Sequence, residues 1–248
     1  WIMSYTNGLD KPSDYFNTVL YTGNGSGQTI SGVGFQPDFN WTKCRTATQS
    51  HVLTNSVSGV TKTLFTNATQ AETTLTNGLT SFNSDGYAFG DSALWTDNTK
   101  TFASWNWKAG TSFTNDASAT GIGTIDSTGS VNTDAGFSIV SYTGNQTSGA
   151  TVAHGLGSKP AMMIFKERNG TTGWVVYHHK NTSAPATEYL QLNSTNATGD
   201  YAGYFNDTEP TSSVFTLGND TGINQSGDTY IAYCFAEKQG YSKFGSYV

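Results

Sequence analysis

The four histidines are the side chains of this sequence best suited to metal binding or acid–base chemistry. They are His51, His154, His178 and His179, and none has a second ligand at the spacing of a metal site. Neighbouring residues of an extended strand point to opposite faces, so the adjacent His178 and His179 are not expected to hold one metal. The histidines are predicted to be solvated or core residues, and no metal site is assigned.

The two cysteines, Cys44 and Cys234, could in principle form a disulfide or bind zinc. They lie far apart in the sequence, without a CxxC motif or a neighbouring cluster of cysteine and histidine. The sequence therefore predicts two buried, reduced thiols and no cofactor.

Carboxylates would be needed for acid catalysis on sugars, which requires a pair about 5 to 9.5 Å apart. The Glu-x-Asp-x-x-Glu strand of sandwich glucanases is absent, and the acidic residues present are not set on one strand face. These residues include Glu72, Asp85, Asp91, Glu167 and Glu188. Gly-x-Ser-x-Gly is also absent, and the glycine-rich stretch at 22–27 lacks the ending of a phosphate loop. The sequence predicts no catalytic site and no enzyme.

Aromatic side chains in loops can stack on sugar rings, and Trp95, Trp174 and Tyr204 are the candidates. Each lies beside Gly, Asn, Asp or Thr in a predicted loop or at a strand end. Trp and Tyr also commonly fill the rims of β-sandwiches, and that role is favoured for these residues. No glycan-binding residue is assigned.

The composition of the chain indicates which fold class positions these candidate residues. Only 12% of the 248 residues are charged, while Thr, Asn, Ser and Gly are abundant, which favours strands over helices. The net charge of -6 gives no basic surface for nucleic acid or an anionic membrane. No apolar run reaches the roughly 20 residues of a membrane span, and no signal-peptide pattern follows Trp1. We expect an all-β protein without nucleic-acid binding or membrane insertion. Because the first residue is not Met, the native start is expected upstream of Trp1.

An internal repeat divides the chain. Tyr21–Asn24 recurs as Tyr142–Asn145 at an offset of 121 residues, and Thr101–Trp107 matches Thr229–Phe235 at an offset of 128. Between these matches, an offset of 123 aligns Pro37, Lys43 and Arg45 with Pro160, Lys166 and Arg168. A slowly growing offset is typical of a duplicated domain whose loops have gained residues.

The repeat predicts two tandem β-sandwich domains of jelly-roll type, related by internal duplication. The first covers 1–110 and the second 136–248. Between them, 111–135 is rich in Ser, Thr and Gly and is predicted to be a linker or a hairpin. The final residues, 242–248, resemble the opening strand of a third repeat.

Short apolar stretches bounded by turn residues predict the strands of both copies. In the first copy they are Phe16–Tyr21, Phe39–Lys43, Tyr87–Phe89 and Phe102–Trp107. In the second they are Ala161–Phe165, Trp174–Tyr177, Tyr189–Leu192, Val214–Leu217 and Tyr230–Phe235.

Alternation along the last strand of each copy predicts which face enters the core. In the first copy it puts Ala103, Trp105 and Trp107 on the core face, and in the second Ile231, Tyr233 and Phe235. Ala232 and Cys234 make the opposite face of the second strand apolar as well, so this strand is expected to be central and covered on both sides.

Several runs resemble repeated segments of large virion proteins from tailed phages of marine and freshwater bacteria, and the resemblance covers nearly the whole chain. The runs are Lys11–Phe16, Gly34–Asp38, Trp105–Gly110, His154–Gly157, Tyr230–Glu237 and Gly240–Tyr247. Proteins of this kind are tail-fibre-like or other structural components and often stand beside concanavalin-like lectin domains. The resemblance implies a non-enzymatic virion protein on the tail or capsid surface and carries over no residue-level function.

Two classes of function remain open from the sequence. The first is a virion protein that forms homo-oligomers, contacts other tail or capsid proteins and adheres to a host surface, with surface glycan as one candidate partner. The second is a secreted carbohydrate-binding or concanavalin-like glycan-active protein, and a bacterial surface adhesin shares most features of the first class. Glycan binding would require an aromatic shelf or a metal-binding cluster of Asp and Asn.

Overall fold

The computed structural model describes residue 9 and residues 11–247, and its regular structure is almost entirely β-strand. The chain divides into two compact units. One is Lys11–Gly110, and the other contains the described residues from Thr111 onward together with Leu9. Each unit has a larger and a smaller antiparallel sheet, with apolar residues of both sheets in one core. The predicted all-β, sandwich-like fold class is confirmed.

The first unit begins with a short 3-10 helix, Pro12–Asp14, and carries one helical turn, α1 (Ala93–Thr96). Its strands are β1 (Phe16–Thr22), β2 (Gln28–Ser31), β3 (Phe39–Cys44), β4 (Val52–Asn55), β5 (Lys62–Phe65), β6 (Thr73–Thr74), β7 (Leu79–Asn83), β8 (Gly86–Phe89) and β9 (Thr101–Trp107). The larger sheet has the order β1-β9-β3-β4-β5-β6 and the smaller one β2-β8-β7.

The second unit continues the chain with ten further strands and three helical turns among the described residues. Its strands are β10 (Thr111–Asn115), β11 (Ser127–Asn132), β12 (Phe137–Thr143), β13 (Ala150–Ala153), β14 (Met162–Glu167), β15 (Val175–His178), β16 (Glu188–Gln191), β17 (Gly199–Asp200), β18 (Val214–Leu217) and β19 (Thr229–Phe235). The turns are α2 (Ala117–Thr120), α3 (Ala202–Phe205) and α4 (Thr221–Asn224). The larger sheet runs β10-β11-β12-β19-β14-β15-β16-β17, and β13 pairs with β18 in the smaller one.

The central strands of the two units follow the same order and register. β9 lies between β1 and β3, with Trp107 opposite both Phe16 and Phe39. β19 lies between β12 and β14 in the same way, with Phe235 opposite both Phe137 and Met162. These pairings reproduce the sequence offsets of the repeat. A common origin of the two units by duplication stays a prediction.

The polar segment at 111–135 forms part of a sheet. β10 pairs antiparallel with β11, and β11 pairs with β12, so the two strands extend the larger sheet of the second unit. At the other end, the described residues after β19 form one isolated bridge, Lys238 to Ser242, and Phe244–Tyr247 lies in no strand.

The hairpin between β7 and β8 shows how turn chemistry closes the first unit. The carboxylate of Asp85 accepts hydrogen bonds from the backbone N–H groups of Gly32 and Gly34, at 3.0 and 2.6 Å. These bonds lower the pKa of Asp85. Gly86 follows with φ 147°, and a Cβ there would lie 2.0 Å from the carbonyl oxygen of Ile30, so glycine is required for β8 to approach β2.

The strands predicted from apolar runs agree with the structure to within two residues at each end. The prediction for the core face of β9 is wrong. Trp105 and Trp107 are only partly buried, whereas Phe102, Ser104 and Asn106 on the opposite face are fully buried. Ser104 and Asn106 can be buried because other side chains satisfy their hydrogen bonds. In the second unit, β19 is central and buried on both faces, as predicted.

Candidate binding site, a tryptophan cleft on the first unit

A cleft of about 340 Å³ opens on the larger sheet of the first unit. It is lined by Trp41, Lys43, His51, Trp105 and Trp107, and we call it the tryptophan cleft. It lies on the outer face of the sheet, which is the face opposite the smaller sheet. Its residues come from two adjacent central strands and from the residue before β4.

The register of β3 and β9 brings the indole rings together. Trp41 stands directly opposite Trp105 in this antiparallel pair, and Lys43 stands opposite the small Ala103. Since side chains of a strand alternate between faces, all four share the outer face. The rings of Trp41 and Trp105 are 6.2 Å apart at 66°. The two indoles therefore form the angled wall of the cleft.

Neighbouring phenylalanines hold Trp107 in place. Its ring lies 4.5 Å from that of Phe16 on β1 and 5.1 Å from that of Phe39 on β3, in tilted and edge-to-face arrangements. Phe39 also meets Trp41 edge-on at 6.4 Å. Such contacts restrict ring motion, so the aromatic surface is ordered before a ligand arrives.

The two basic residues of the cleft are fixed through the loop before β4. Lys43 Nζ donates to the carbonyl oxygen of Gln49 at 3.1 Å. The backbone of His51 is held on both sides, because its N–H donates to Asn67 Oδ1 at 2.8 Å and its carbonyl accepts from the N–H of Thr66 at 3.0 Å. Burial, and after it the charge of Lys43, lower the pKa of His51. The imidazole is therefore neutral at neutral pH.

A buried polar network beneath the cleft ties β3 to β9. Asn40 Nδ2 donates to Asn106 Oδ1 at 2.7 Å, and Asn106 Nδ2 donates to Ser104 Oγ at 3.1 Å. Thr42 Oγ1 donates to Asn40 Oδ1 at 2.9 Å, and Tyr87 Oη donates to Ser104 Oγ at 2.7 Å. The network fixes the register that aligns the tryptophans on the other face.

The cleft has the chemistry of a binding surface. Partly exposed indole rings offer flat apolar area, while the lysine and histidine offer donors at its edge. Sugar rings present an apolar face and polar hydroxyls, so this combination suits them. None of the described residues that line the cleft is acidic, so these residues supply no carboxylate pair of the kind that glycoside hydrolysis uses.

A second cavity, of about 590 Å³, is lined by consecutive residues of the terminal turn, Glu237–Lys243. Glu237 accepts from the N–H of Phe244 at 3.1 Å and lies 3.5 Å from His179 Nε2. The ring of Phe244 packs 6.2 Å from that of Phe235. The contact between the two rings attaches the terminal segment to β19. Because its lining residues are consecutive, the cavity is the space enclosed by one turn.

Of the candidate residues singled out in the sequence, His51 is among those that line the cleft. Trp95 and Trp174 are fully buried and Tyr204 is partly buried, so none of the three forms an exposed shelf. Cys44 and Cys234 are buried free thiols, as predicted, and burial raises the pKa of Cys234 to about 12. Within the described part of the chain, no group of three or more His, Cys, Asp or Glu residues could hold a metal ion.

His154 and His178 occupy different surroundings. His154 is buried, with Nε2 3.2 Å from the carbonyl oxygen of Thr211 and Nδ1 accepting from the N–H of Leu156 at 3.2 Å. His178 ends β15 and packs its ring 6.3 Å from that of Phe244. Both belong to the second unit.

Trp41, Lys43, Trp105 and Trp107 were missed as site residues in the sequence. The Trp105-Asn106-Trp107 alternation was assigned to the core because large aromatic side chains are usually buried. The useful signal was the polar set on the opposite face, Asn40 and Thr42 on one strand and Ser104 and Asn106 on the other. Four polar side chains at facing positions can satisfy one another inside and leave the aromatic residues outside.

Comparison with known families gives one match. Residues 11–248 match the model of a family described as "Domain of unknown function (DUF7483)". The chain belongs to this family. The match begins at the first residue of the first unit and runs through the second, so the DUF7483 model spans both. No curated protein and no solved structure matches the chain. Among the described residues, no helix is long and apolar enough to cross a membrane.

Proposed function

We propose that this DUF7483 protein is a non-enzymatic virion protein of a tailed phage that binds surface glycan through the tryptophan cleft. It would be exposed on the tail as a fibre component or on the capsid as a decoration. The proposal of glycan binding is supported by the cluster of Trp41, Trp105 and Trp107, whose rings are partly exposed on the larger sheet.

The virion assignment is supported by the resemblance of segments at both ends of the chain to repeated segments of phage virion proteins. Two sheet-rich units joined in one chain also suit a fibre or a decoration, since such proteins are built from stacked modules. In a homo-oligomer or on a particle, many weak clefts act together and raise the effective affinity for a host surface.

Glycan binding is tested with Trp41→Ala and Trp105→Ala on an array of oligosaccharides. Each variant is expected to lose about threefold to tenfold in affinity, since one aromatic contact is worth about 0.5–1.5 kcal/mol. Tyr247→Ala is the matched control, because Tyr247 is 99% exposed and remote in sequence from the cleft. Circular dichroism should show that all three variants fold. Binding that is unchanged in both tryptophan variants would contradict a role for the cleft.

The virion assignment is tested by quantitative mass spectrometry of purified phage particles. Hundreds of copies per particle would indicate a capsid decoration, and a small multiple of three or six would indicate a tail fibre. Absence from particles would refute the virion assignment and favour a secreted carbohydrate-binding protein, which the same cleft also supports.

A further inference from the structure

We infer that the saccharide bound in the tryptophan cleft is acidic, with its ring against the indoles and its carboxylate paired with Lys43. This inference rests on the proposed function, because it names the class of glycan for the same site. The recognised unit is then a uronic acid or another carboxylated sugar.

The charge in the cleft differs in sign from that of the whole chain. The chain has 18 acidic and 12 basic residues and a net charge of -6. Among the five residues that line the cleft, the titratable ones are Lys43 and His51, and none is acidic. The local charge is therefore opposite to that of the protein as a whole, which favours an anionic ligand at this place on the surface.

The Lys43 ammonium keeps N–H donors for a ligand. Its Nζ makes one hydrogen bond, to the Gln49 carbonyl, and an ammonium group has three N–H donors. Among the described residues, no carboxylate lies within ion-pair distance of Lys43. Asp97, which follows α1, accepts instead from Gln49 Nε2 at 2.9 Å. A bound carboxylate would complete the environment of Lys43.

The lysine at the same register in the second unit has different surroundings. Lys166 aligns with Lys43, but it is fully buried, and its Nζ donates to the carbonyl oxygens of Glu167 and Gly170 at 2.7 and 3.3 Å. The ammonium of Lys166 is therefore buried and bonded to backbone carbonyls of the second unit. Lys43 is instead partly exposed beside a wall of indoles. The two positions show a structural lysine and one left available to a ligand.

The geometry assigns separate roles within one sugar unit. The apolar face of the pyranose ring lies on the wall formed by Trp41 and Trp105, which gives affinity without regard to charge. Lys43, on the same strand face two residues from Trp41, binds the carboxylate. The neutral imidazole of His51 exchanges a hydrogen bond with a ring hydroxyl.

The test uses oligosaccharide pairs that differ only in the carboxylate at C6. Glucan and glucuronan, mannan and mannuronan, and galactan and galacturonan oligomers of equal length are suitable. At low ionic strength, the carboxylated member of at least one pair is expected to bind about tenfold more tightly, and added salt should reduce the difference.

Substitutions then assign the preference to one side chain. Lys43→Met keeps the length of the side chain and should lower the affinity for the carboxylated member to that for its neutral counterpart, so that the preference is lost. Lys43→Arg should retain the preference, and Lys62→Met, which removes a lysine from an outer strand of the same sheet, should have no effect.

The outcomes separate this inference from the proposed function. Equal affinity for neutral and carboxylated members, with loss of both in Trp105→Ala, would overturn the acidic preference and leave glycan binding intact. A preference that survives Lys43→Met would also overturn the assignment. Failure of every member to bind would overturn both.

Discussion

The outer faces of the two larger sheets have the same strand register and opposite surroundings. In the first unit this face carries Trp41, Trp105 and Trp107, all partly exposed. At the corresponding positions the second unit has Ile164, Tyr233 and Phe235, which are at most 8% exposed. The same register of central strands thus leaves these side chains partly exposed in the first unit and buried in the second. The glycan binding proposed for the first unit depends on this difference in exposure.

The inner faces differ in the opposite sense. The first unit buries a polar network of Asn40, Thr42, Ser104 and Asn106. The second has Met163, Phe165, Ala232 and Cys234 at the same register, all within its apolar core. The first unit has therefore placed polar groups inside and indoles outside. Satisfied hydrogen bonds make this arrangement stable, because a buried polar group without a partner costs about 1–3 kcal/mol.

The largest expected effect comes from truncating the same row of the sheet in each unit. Tyr233→Ala removes a fully buried ring and should lower the free energy of unfolding by about 3–5 kcal/mol. Trp105→Ala removes a partly exposed ring and should cost about 1–2 kcal/mol. Urea denaturation of both variants measures the difference. Equal losses would show that the two faces are equally buried.

The second prediction uses pH to compare the histidines of the two units. Burial lowers the pKa of His154 to about 4, although its hydrogen bond to the Thr211 carbonyl acts in the opposite direction. The unfolded chain binds this proton near pH 6.5 and the folded chain only near pH 4. Stability is therefore complete above pH 6.5 and decreases as the pH falls towards 4, by at most about 3 kcal/mol.

Equilibrium unfolding across this pH range measures the effect. His154→Gln should remove most of the slope, and His51→Gln should change it little, since His51 is partly exposed. A slope that persists in His154→Gln would assign the pH dependence to other groups.

A smaller effect is expected from the inner network. Asn106→Ala leaves Asn40 Nδ2 without its acceptor at 2.7 Å and should destabilise the protein by about 1–3 kcal/mol. Cys234→Ala, at the same register in the second unit, removes only a small apolar group and should cost about 1 kcal/mol. Differential scanning calorimetry compares the two. If Asn106→Ala is as mild as Cys234→Ala, the network does not fix the register.

The sequence was sufficient to predict the fold class, the principal strands and the correspondence between the two halves. Strands with regular apolar residues, such as Phe16–Thr22 and Thr229–Phe235, were located correctly. The strands that were missed include the polar Gln28–Ser31 and Ser127–Asn132, which their pairing partners define more than their own residues do. They also include the apolar Phe137–Thr143, which pairs with the central β19.

The site itself could not be predicted because strand alternation identifies two faces without saying which one is buried. For β9, the hydrophobicity of the tryptophans predicted that their face is buried. In the structure the opposite face is buried, and there Asn106 accepts a hydrogen bond from Asn40 on the neighbouring β3. The hydrogen bond between Asn40 and Asn106 depends on β3 lying beside β9, and the sequence of β9 alone does not indicate its neighbour.

The most direct test of the central claim is the response of the indole N–H resonances to saccharide, measured by NMR on protein labelled with nitrogen-15. A saccharide that binds in the cleft should shift the resonances of Trp41, Trp105 and Trp107. Those of the fully buried Trp95 and Trp174 should stay in place as internal controls. Saturable binding that leaves all three cleft resonances unchanged would contradict the assignment of the first unit's outer face as the binding surface.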